Sequence, residues 1–183
     1  MIRGILVGIM LAAVALVGVT YFYFASGLAP VATSDPIMPF ERRLAHLALD
    51  AHIREQHVGN SPIPADEQNL LAGTETYKKE CAICHGLPNR PAAYAKMMFP
   101  KPTQMFQGDG VTDDPVGDSY WKAVNGIRLS GMPAFKDKLT GTQLWQVSQL
   151  VANAHALPDS VKKALTLESV APGSETSMSQ PPS

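Results

Sequence analysis

The pentapeptide Cys81-Ala82-Ile83-Cys84-His85 constrains this 183-residue chain more than any other feature. Its two cysteines are the only ones in the sequence, so no thiol is left to form a disulfide elsewhere. Two thiols at this spacing can bond both vinyl groups of one heme, while the imidazole that follows binds the iron. The pattern is typical of c-type heme attachment, and it predicts that the function follows from that cofactor.

Three other interpretations of the cysteine pair compete with heme attachment. A thioredoxin-like redox pair needs a strand before it and a helix after it, whereas here a helical pattern precedes the pair and the Pro-rich segment 86–91 follows. A structural zinc site needs a second pair of Cys or His ligands at compact spacing, and the sequence has no second cysteine pair. A chance match to the short motif is the third alternative, and the surrounding sequence argues against it.

A methionine lies downstream in a segment rich in glycine and proline. Met132 follows Gly131 and precedes Pro133, and its thioether can supply the second axial ligand of a heme iron. A His/Met pair raises the reduction potential and fills both axial positions, which suits electron transfer better than catalysis. We therefore expect an electron carrier and not an enzyme.

With these motifs, the segment from about Asp66 to Pro158 resembles a class I cytochrome c domain of the bacterial, cbb3-subunit-like type. The motifs that carry the resemblance are, in chain order, Gly73-x-x-x-Tyr77, Cys81 to His85, Trp121, Gly131-Met132-Pro133 and Trp145. The resemblance implies an all-α cytochrome c fold around one covalently bound heme c. It also implies that Cys81 and Cys84 form the thioether attachments. His85 would be the proximal ligand of the iron and Met132 the distal ligand.

Further residues are candidate contacts of the heme by the same resemblance. Trp121 packs on the heme or directs its N–H to a propionate, or else it is an ordinary core residue. Arg128 pairs with a propionate charge, or else it is a solvated loop residue. Tyr120 and Phe135 complete the candidate pocket.

Three other methionines lie between the attachment motif and Met132 and compete with it for the distal position. They are Met97, Met98 and Met105. Met97 and Met98 are better explained as cover for a heme edge or as core filler. Met132 is favoured because Gly-Met-Pro is the ligand context of the family that the segment resembles.

Helical patterns flank these motifs. Asp66 is the expected N-cap of a helix that runs to Lys79. A capping box at Thr140 and Gln143 opens a closing helix that ends by Pro158.

A short helix between them is expected from Asp118, as its N-cap, to Val124, with Gly126 as its stop. Gly73 and Tyr77 share one face of the first helix, where glycine would let the closing helix approach closely. The alternative is that Gly73 only weakens a surface helix.

The amino-terminal region predicts where the heme domain lies. An uncharged stretch of about 21 residues, from Gly4 to Phe24, follows Arg3 and is long enough to span a hydrocarbon core of about 30 Å. A cleaved signal peptide ending at 25–27 is the alternative, and the length of the stretch favours an uncleaved anchor. Positive charge before the span, and none until Arg42 after it, predicts a single-pass inner-membrane protein with its heme domain in the periplasm.

The predicted organisation is an anchor at 1–27, a linker at 28–65, the cytochrome c domain at 66–158 and a disordered tail at 159–183. The linker contains a helical pattern from Phe40 to His57, with an apolar stripe that docks on the heme domain or on a partner. A metal site formed by its histidines and an aspartate is disfavoured because no fourth ligand is evident. Within the tail, 160–167 can add a helical turn or two.

The net charge predicts little about the partners of this chain. Its 15 Lys and Arg residues nearly balance its 16 Asp and Glu residues, so no strong global field would steer a partner. An acidic run either docks a basic partner or keeps a loop solvated; it comprises Asp109, Asp113, Asp114 and Asp118. No nucleic-acid signature is present. We expect a membrane-anchored single-heme cytochrome c that moves electrons between two redox proteins, with a fixed heme subunit of a larger membrane oxidoreductase as the alternative. A heme enzyme or a gas sensor is less favoured.

Overall fold

A computed structural model of the protein describes residues 2–106 and 114–167. In those ranges the α-helices are α1 (Ile2–Ala25), α2 (Glu41–Gln56), α3 (Glu67–Glu80), α4 (Ala82–His85), α5 (Val116–Asn125), α6 (Gly141–Ala152) and α7 (Asp159–Thr166). Two short 3-10 helices, Tyr94–Met97 and Ala154–Ala156, join them. The expected all-α class is confirmed. The chain divides into two compact units, Met1–Leu49 and Asp50–Ser183.

The first unit contains helix α1. Its 24 residues are long and apolar enough to cross a membrane by length and composition. At about 1.5 Å per residue the helix measures about 36 Å. None of its residues is buried, so its apolar side chains are available to a lipid environment.

The core of the second unit forms where α3 crosses α6. A Cβ on Gly73 would lie only 2.4 Å from the carbonyl oxygen of Gln146. The close approach therefore requires glycine, as predicted, and the alternative that Gly73 merely weakens a surface helix is wrong. The buried apolar residues around this crossing are Leu70, Tyr77, Leu87, Val147, Leu150, Val151, Leu157, Val161 and Leu165.

Local capping signals set the ends of these helices. The side chain of Asp66 accepts from the amide of Asn69 at 2.9 Å, and Thr140 and Gln143 form the expected reciprocal capping box. Both predicted helix starts are confirmed. Helix α6 ends at Ala152, earlier than predicted, because the chain turns into the 3-10 helix before it reaches the proline.

Helix α5 begins earlier than predicted. Pro115 is its N-cap, so the prediction that Asp118 caps the helix is wrong. The restricted φ of proline already suits a helix start, and Asp118 lies in the first turn, where the helix dipole favours a negative charge. Gly126 ends the helix with φ of 69°, as predicted.

Helix α7 corrects the predicted tail. Val161 and Leu165 lie four residues apart on this helix and are completely buried in the core. Lys78 of α3 donates to the carbonyl of Ala164 at 3.1 Å. Residues 159–166 therefore belong to the folded unit. The helical turns expected within 160–167 are confirmed, and disorder is wrong for this part of the predicted tail. The remainder of the predicted tail, from 168, lies outside the described residues.

The end of α2 packs within the second unit. Ile53 is 3% exposed, and the His52 ring meets the Trp121 ring edge to face, with centroids 5.4 Å apart. Of these two residues, only His52 belongs to the predicted apolar stripe, and its contact with Trp121 agrees with docking on the helical domain. Leu44 and Leu47 of the predicted apolar stripe are exposed, so the docking depends on the last turns alone.

Candidate functional site

The attachment motif continues directly from the end of α3. The amide of Cys81 donates to the carbonyl of Tyr77 at 2.9 Å, and the amide of His85 donates to the carbonyl of Cys81 at 2.9 Å. The motif therefore forms its own helical turn, α4. Both cysteines are half-buried and neither is in a disulfide.

The environment of Cys81 argues against a thioredoxin-like redox role for the pair. Burial, together with the nearby Glu80 and Cys84, raises the pKa of the Cys81 thiol to about 12. Disulfide exchange uses the thiolate, and reactive redox cysteines accordingly have a lowered pKa. Cys81 instead stays a neutral thiol near pH 7, which is the form that can add across a vinyl group.

The imidazole of His85 is oriented by a backbone carbonyl. Its Nδ1 lies 2.7 Å from the carbonyl oxygen of Thr103. Since a carbonyl only accepts hydrogen bonds, Nδ1 carries the proton and Nε2 carries the lone pair. Burial also lowers the pKa of His85, opposed in part by the bond to Thr103. A neutral imidazole with a fixed tautomer is the form that binds a metal ion.

Side chains from other segments hold the attachment motif in place. The hydroxyl of Tyr77 donates to the carbonyl of Gly86 at 2.7 Å, and burial raises the Tyr77 pKa, so the donor stays protonated. Gln104 donates from Nε2 to the carbonyl of Cys84 at 3.3 Å and accepts from the amide of Ala92 at 3.2 Å. The end of α4 is therefore fixed by one residue before it and one well after it.

Two of these supporting residues were missed by the sequence analysis. Thr103 and Gln104 lie in an irregular Pro-rich segment, where no periodicity marks a residue as structural. Thr103 acts through its backbone carbonyl, which any residue type possesses. Gln104 bonds to residues that lie 12 and 20 positions away. Its neighbours in the sequence therefore carry no signal of its role.

The loop around Met132 is a tight turn held by its own residues. The amide of Ile127 donates to the carbonyl of Met132 at 3.1 Å, while the Ser130 hydroxyl donates to the Ile127 carbonyl at 2.7 Å and accepts from the Met132 amide at 3.2 Å. Leu129 and Gly131 have φ values of 62° and 75°. The turn thus presents Met132 from a rigid local frame.

The base of this loop requires glycine. Gly126 has φ of 69°, and a Cβ there would lie 2.7 Å from the carbonyl of Met132 and from the amide of Ala134. The amide of Phe135 donates to the carbonyl of Ala123 at 3.0 Å, which ties the far end of the loop back to α5.

Two long-range contacts connect the segments around the attachment motif and around the methionine loop. Lys138, shortly after the methionine loop, pairs with Glu80, directly before Cys81. The Cε of Met98 lies against Gly131, and Met98 precedes by five positions the Thr103 carbonyl that holds His85.

The three competing methionines differ in their burial and in their neighbours. Met97 is 60% exposed, and Met105 packs against the apolar core. Met98 is half-buried beside the methionine loop. Met132 remains the predicted distal ligand.

The other candidate contacts lie on or near α5. Trp121 is half-buried and faces His52, and Arg128 is exposed in the turn after α5. Their roles toward a heme stay predictions. Tyr120 stacks on Trp145 of α6, with centroids 3.8 Å apart, so this ring has an aromatic partner of its own. Phe135 is buried.

Only part of the acidic run can be described. Asp114 pairs with Lys122 at 2.7 Å, which neutralises one of its charges. Asp109 and Asp113 lie outside the described residues, so the predicted docking role of the run stays a prediction.

Comparison with known proteins identifies the helical domain. Residues 68–151 match the family model for cytochrome c oxidase, cbb3-type, subunit III. The Kuenenia stuttgartiensis reducing HAO-like protein complex contains a chain that is 25% identical, with a TM-score of 0.45; the match covers 51% of this chain and 47% of that chain. The chain thus spans about half the length of that solved chain. A search of curated proteins finds no match.

The residues present fit the group that such a domain binds. His85 offers a neutral imidazole with a lone pair on Nε2, and Cys81 offers a protonated thiol one helical turn before it. Glycines at 126 and 131 let the methionine loop fold tightly. A heme c domain needs this donor set. The segment 68–151 is a cytochrome c domain of the cbb3-subunit type, and its resemblance to the class I c-type cytochromes is thereby confirmed.

Proposed function

We propose that this protein is a membrane-anchored electron carrier with one heme c, bonded to Cys81 and Cys84 and ligated by His85 and Met132. The bound heme supplies a reversible one-electron couple. The chain supplies the orientation of both ligands, the apolar surroundings and the position relative to the membrane. We further propose that it is not an enzyme, because two protein ligands leave no axial position for a substrate.

The observation that carries this proposal is the hydrogen bond from His85 Nδ1 to the Thr103 carbonyl. It fixes the tautomer and leaves the lone pair on Nε2. Two cysteines lie within the preceding four positions of the chain. A histidine packed as an ordinary core residue has no need of adjacent cysteines at this spacing. The three side chains together favour heme attachment.

Covalent attachment is tested on the purified holoprotein. Heme should remain with the polypeptide through acid–acetone extraction and on a denaturing gel. Cys81→Ala and Cys84→Ala should each remove one thioether bond, and the double variant should hold no heme after denaturation. Complete extraction from the unaltered protein would contradict the c-type assignment.

The proposed location rests on helix α1. Its length and composition suit a bilayer. Arg3 lies at its amino-terminal end, before the uncharged stretch, and no basic residue follows until Arg42. By the positive-inside rule, this charge distribution supports the proposal that the heme domain lies in the periplasm and the anchor in the inner membrane. A periplasm-active reporter fused after Ala65 should be active. A mature amino terminus near Leu28, found by mass spectrometry, would instead show that α1 is a cleaved signal peptide.

The proposed partners are a redox donor and a redox acceptor. The second candidate is a fixed heme subunit of a larger membrane oxidoreductase, and the description of the matched family as an oxidase subunit favours it. Purification in mild detergent separates the two candidates. A carrier should elute alone, whereas a fixed subunit should elute with other polypeptides at constant stoichiometry.

A further inference from the structure

A second methionine touches the loop that carries Met132. A Cβ built on Gly131 would lie 3.0 Å from Cε of Met98. The terminal methyl of Met98 therefore fills the space that a side chain at position 131 would occupy. Met98 is half-buried, whereas its neighbour Met97 is 60% exposed.

The chain that carries Met98 also reaches the proximal side. Thr103, five positions later, accepts the hydrogen bond from His85. Five residues span at most about 18 Å when extended. One short segment, 98–103, thus contacts the methionine loop at one end and orients the imidazole of His85 at the other. Because this loop carries the proposed distal ligand, we call it the distal loop.

At its far end the loop that carries Met132 is tied to α5 by the bond from Phe135 to Ala123, whereas the bonds around its tip are local. The bonds made by Ser130 link residues of the same turn, and Leu129 at its tip is 89% exposed. Bonds within a turn preserve its shape but do not fix where the turn sits. The methyl of Met98 provides a contact from a different segment, directly before the ligand.

We propose that Met98 is a positioning residue for Met132, and that its packing on Gly131 keeps the distal loop closed over the iron. The inference rests on the proposed His/Met ligation. Met98 acts here by packing, so its sulfur is dispensable and its volume is not. Shortening the side chain should make the loop open more often without removing a ligand.

Imidazole binding to the ferric holoprotein measures how often the loop opens. Imidazole competes with Met132 and binds only the open form, so its apparent affinity is proportional to the open fraction when that fraction is small. We expect Met98→Ala to bind imidazole about tenfold more tightly than the unaltered protein, a typical effect of losing such a contact. Without imidazole, the weak sulfur-to-iron absorption band should remain.

Two variants serve as controls. Met98→Leu keeps most of the side-chain volume and lacks sulfur, and we expect it to resemble the unaltered protein. Met97→Ala removes an exposed methionine at the adjacent position and should also have little effect. If Met98→Ala yields no holoprotein, Met98→Val offers a smaller loss of volume and should show a weaker shift in the same direction.

Different results would overturn different claims. An unchanged imidazole affinity in Met98→Ala, or an equal change in Met97→Ala, would overturn this inference alone. Met98 would be the ligand if the absorption band were lost in both Met98→Ala and Met98→Leu and retained in Met132→Ala. That result would also overturn the inference that Met98 only positions Met132. Absence of the band from the unaltered protein would overturn the proposed ligation and this inference together.

Discussion

His85 and Met132 lie in segments that are held by different kinds of contact. The attachment motif around His85 is fixed by groups elsewhere in the chain: Tyr77 bonds to Gly86, and the carbonyl of Thr103 orients the imidazole. The Met132 loop is fixed mainly by bonds inside its own turn. The first arrangement depends on the whole domain, and the second depends on local backbone conformation.

This difference predicts which substitutions should affect the whole domain and which should affect only one loop. A segment held by distant groups loses its structure when the domain is loosened, and its disruption in turn loosens the domain. A tight turn can change its position while the rest of the core keeps its packing. We therefore expect the proximal side to govern assembly and the distal side to govern the properties of the assembled heme.

The largest contrast is expected from removing each ligand in turn. His85→Ala should reduce the yield of heme-containing protein at least about tenfold, because the ligand and its carbonyl partner organise the attachment site. Met132→Ala should retain covalent heme and lose the sulfur-to-iron band, with a lowered reduction potential. Heme staining and redox titration measure the two effects. Equal heme yields from the two variants would contradict the claim that the proximal side governs assembly.

The next effect is expected at the base of the distal loop. Gly126→Ala adds a methyl group 2.7 Å from backbone atoms, at a residue with φ of 69°. The combined strain and crowding should lower the free energy of unfolding by about 3 kcal/mol. Gly141→Ala is the matched control, since nothing lies within 4 Å of its added methyl. Chemical denaturation followed by circular dichroism measures the difference, and similar values for the two variants would contradict it.

A smaller effect is expected from the hydroxyl that supports the attachment motif. Tyr77→Phe removes the donor to Gly86 and leaves a buried carbonyl without that bond, which should cost about 2 kcal/mol. Tyr94→Phe removes a hydroxyl from a residue that is 56% exposed and should change the free energy by less than about 0.5 kcal/mol. Denaturation midpoints of the two holoproteins give the comparison. A Tyr77→Phe protein as stable as Tyr94→Phe would show that this bond contributes nothing.

The smallest effect is expected at Gln104. Gln104→Ala removes three half-buried hydrogen bonds, to Cys84 in α4 and to Ala92 and Pro102. Because two of the three bonds to Nε2 and Oε1 are long, the free energy of unfolding should fall by only about 1 kcal/mol. Because the side chain does not contact either ligand, the reduction potential should stay unchanged. A changed potential with unchanged stability would mean that Gln104 acts on the iron site instead of the motif's backbone.

The features that sequence reasoning predicted are those specified by neighbouring residues. Asp66 and Thr140 bond to amides three positions away, so the helix starts follow from short patterns. Gly73 was predicted because its helical register and the family pattern together indicated a crossing. The attachment motif is likewise local, since one helical turn contains both cysteines and the histidine.

The features that were missed depend on the assembled fold. Thr103 contacts His85 across 18 positions, and no local pattern marks its carbonyl as an acceptor. The helical turns of 160–167 were expected, but the burial of Val161 and Leu165 was not. These apolar residues lie in a largely polar segment and matter only once a core is available to bury them. Asp118 was a good capping residue by type, but Pro115 three positions earlier had already started the helix.

The central claim is that both axial positions of one heme are filled by His85 and Met132. The most direct measurement is the absorption spectrum of the reduced, purified holoprotein before and after addition of carbon monoxide. A closed His/Met site predicts that the spectrum stays unchanged at neutral pH. A shifted Soret band after carbon monoxide would show an open axial position and contradict the proposed electron carrier.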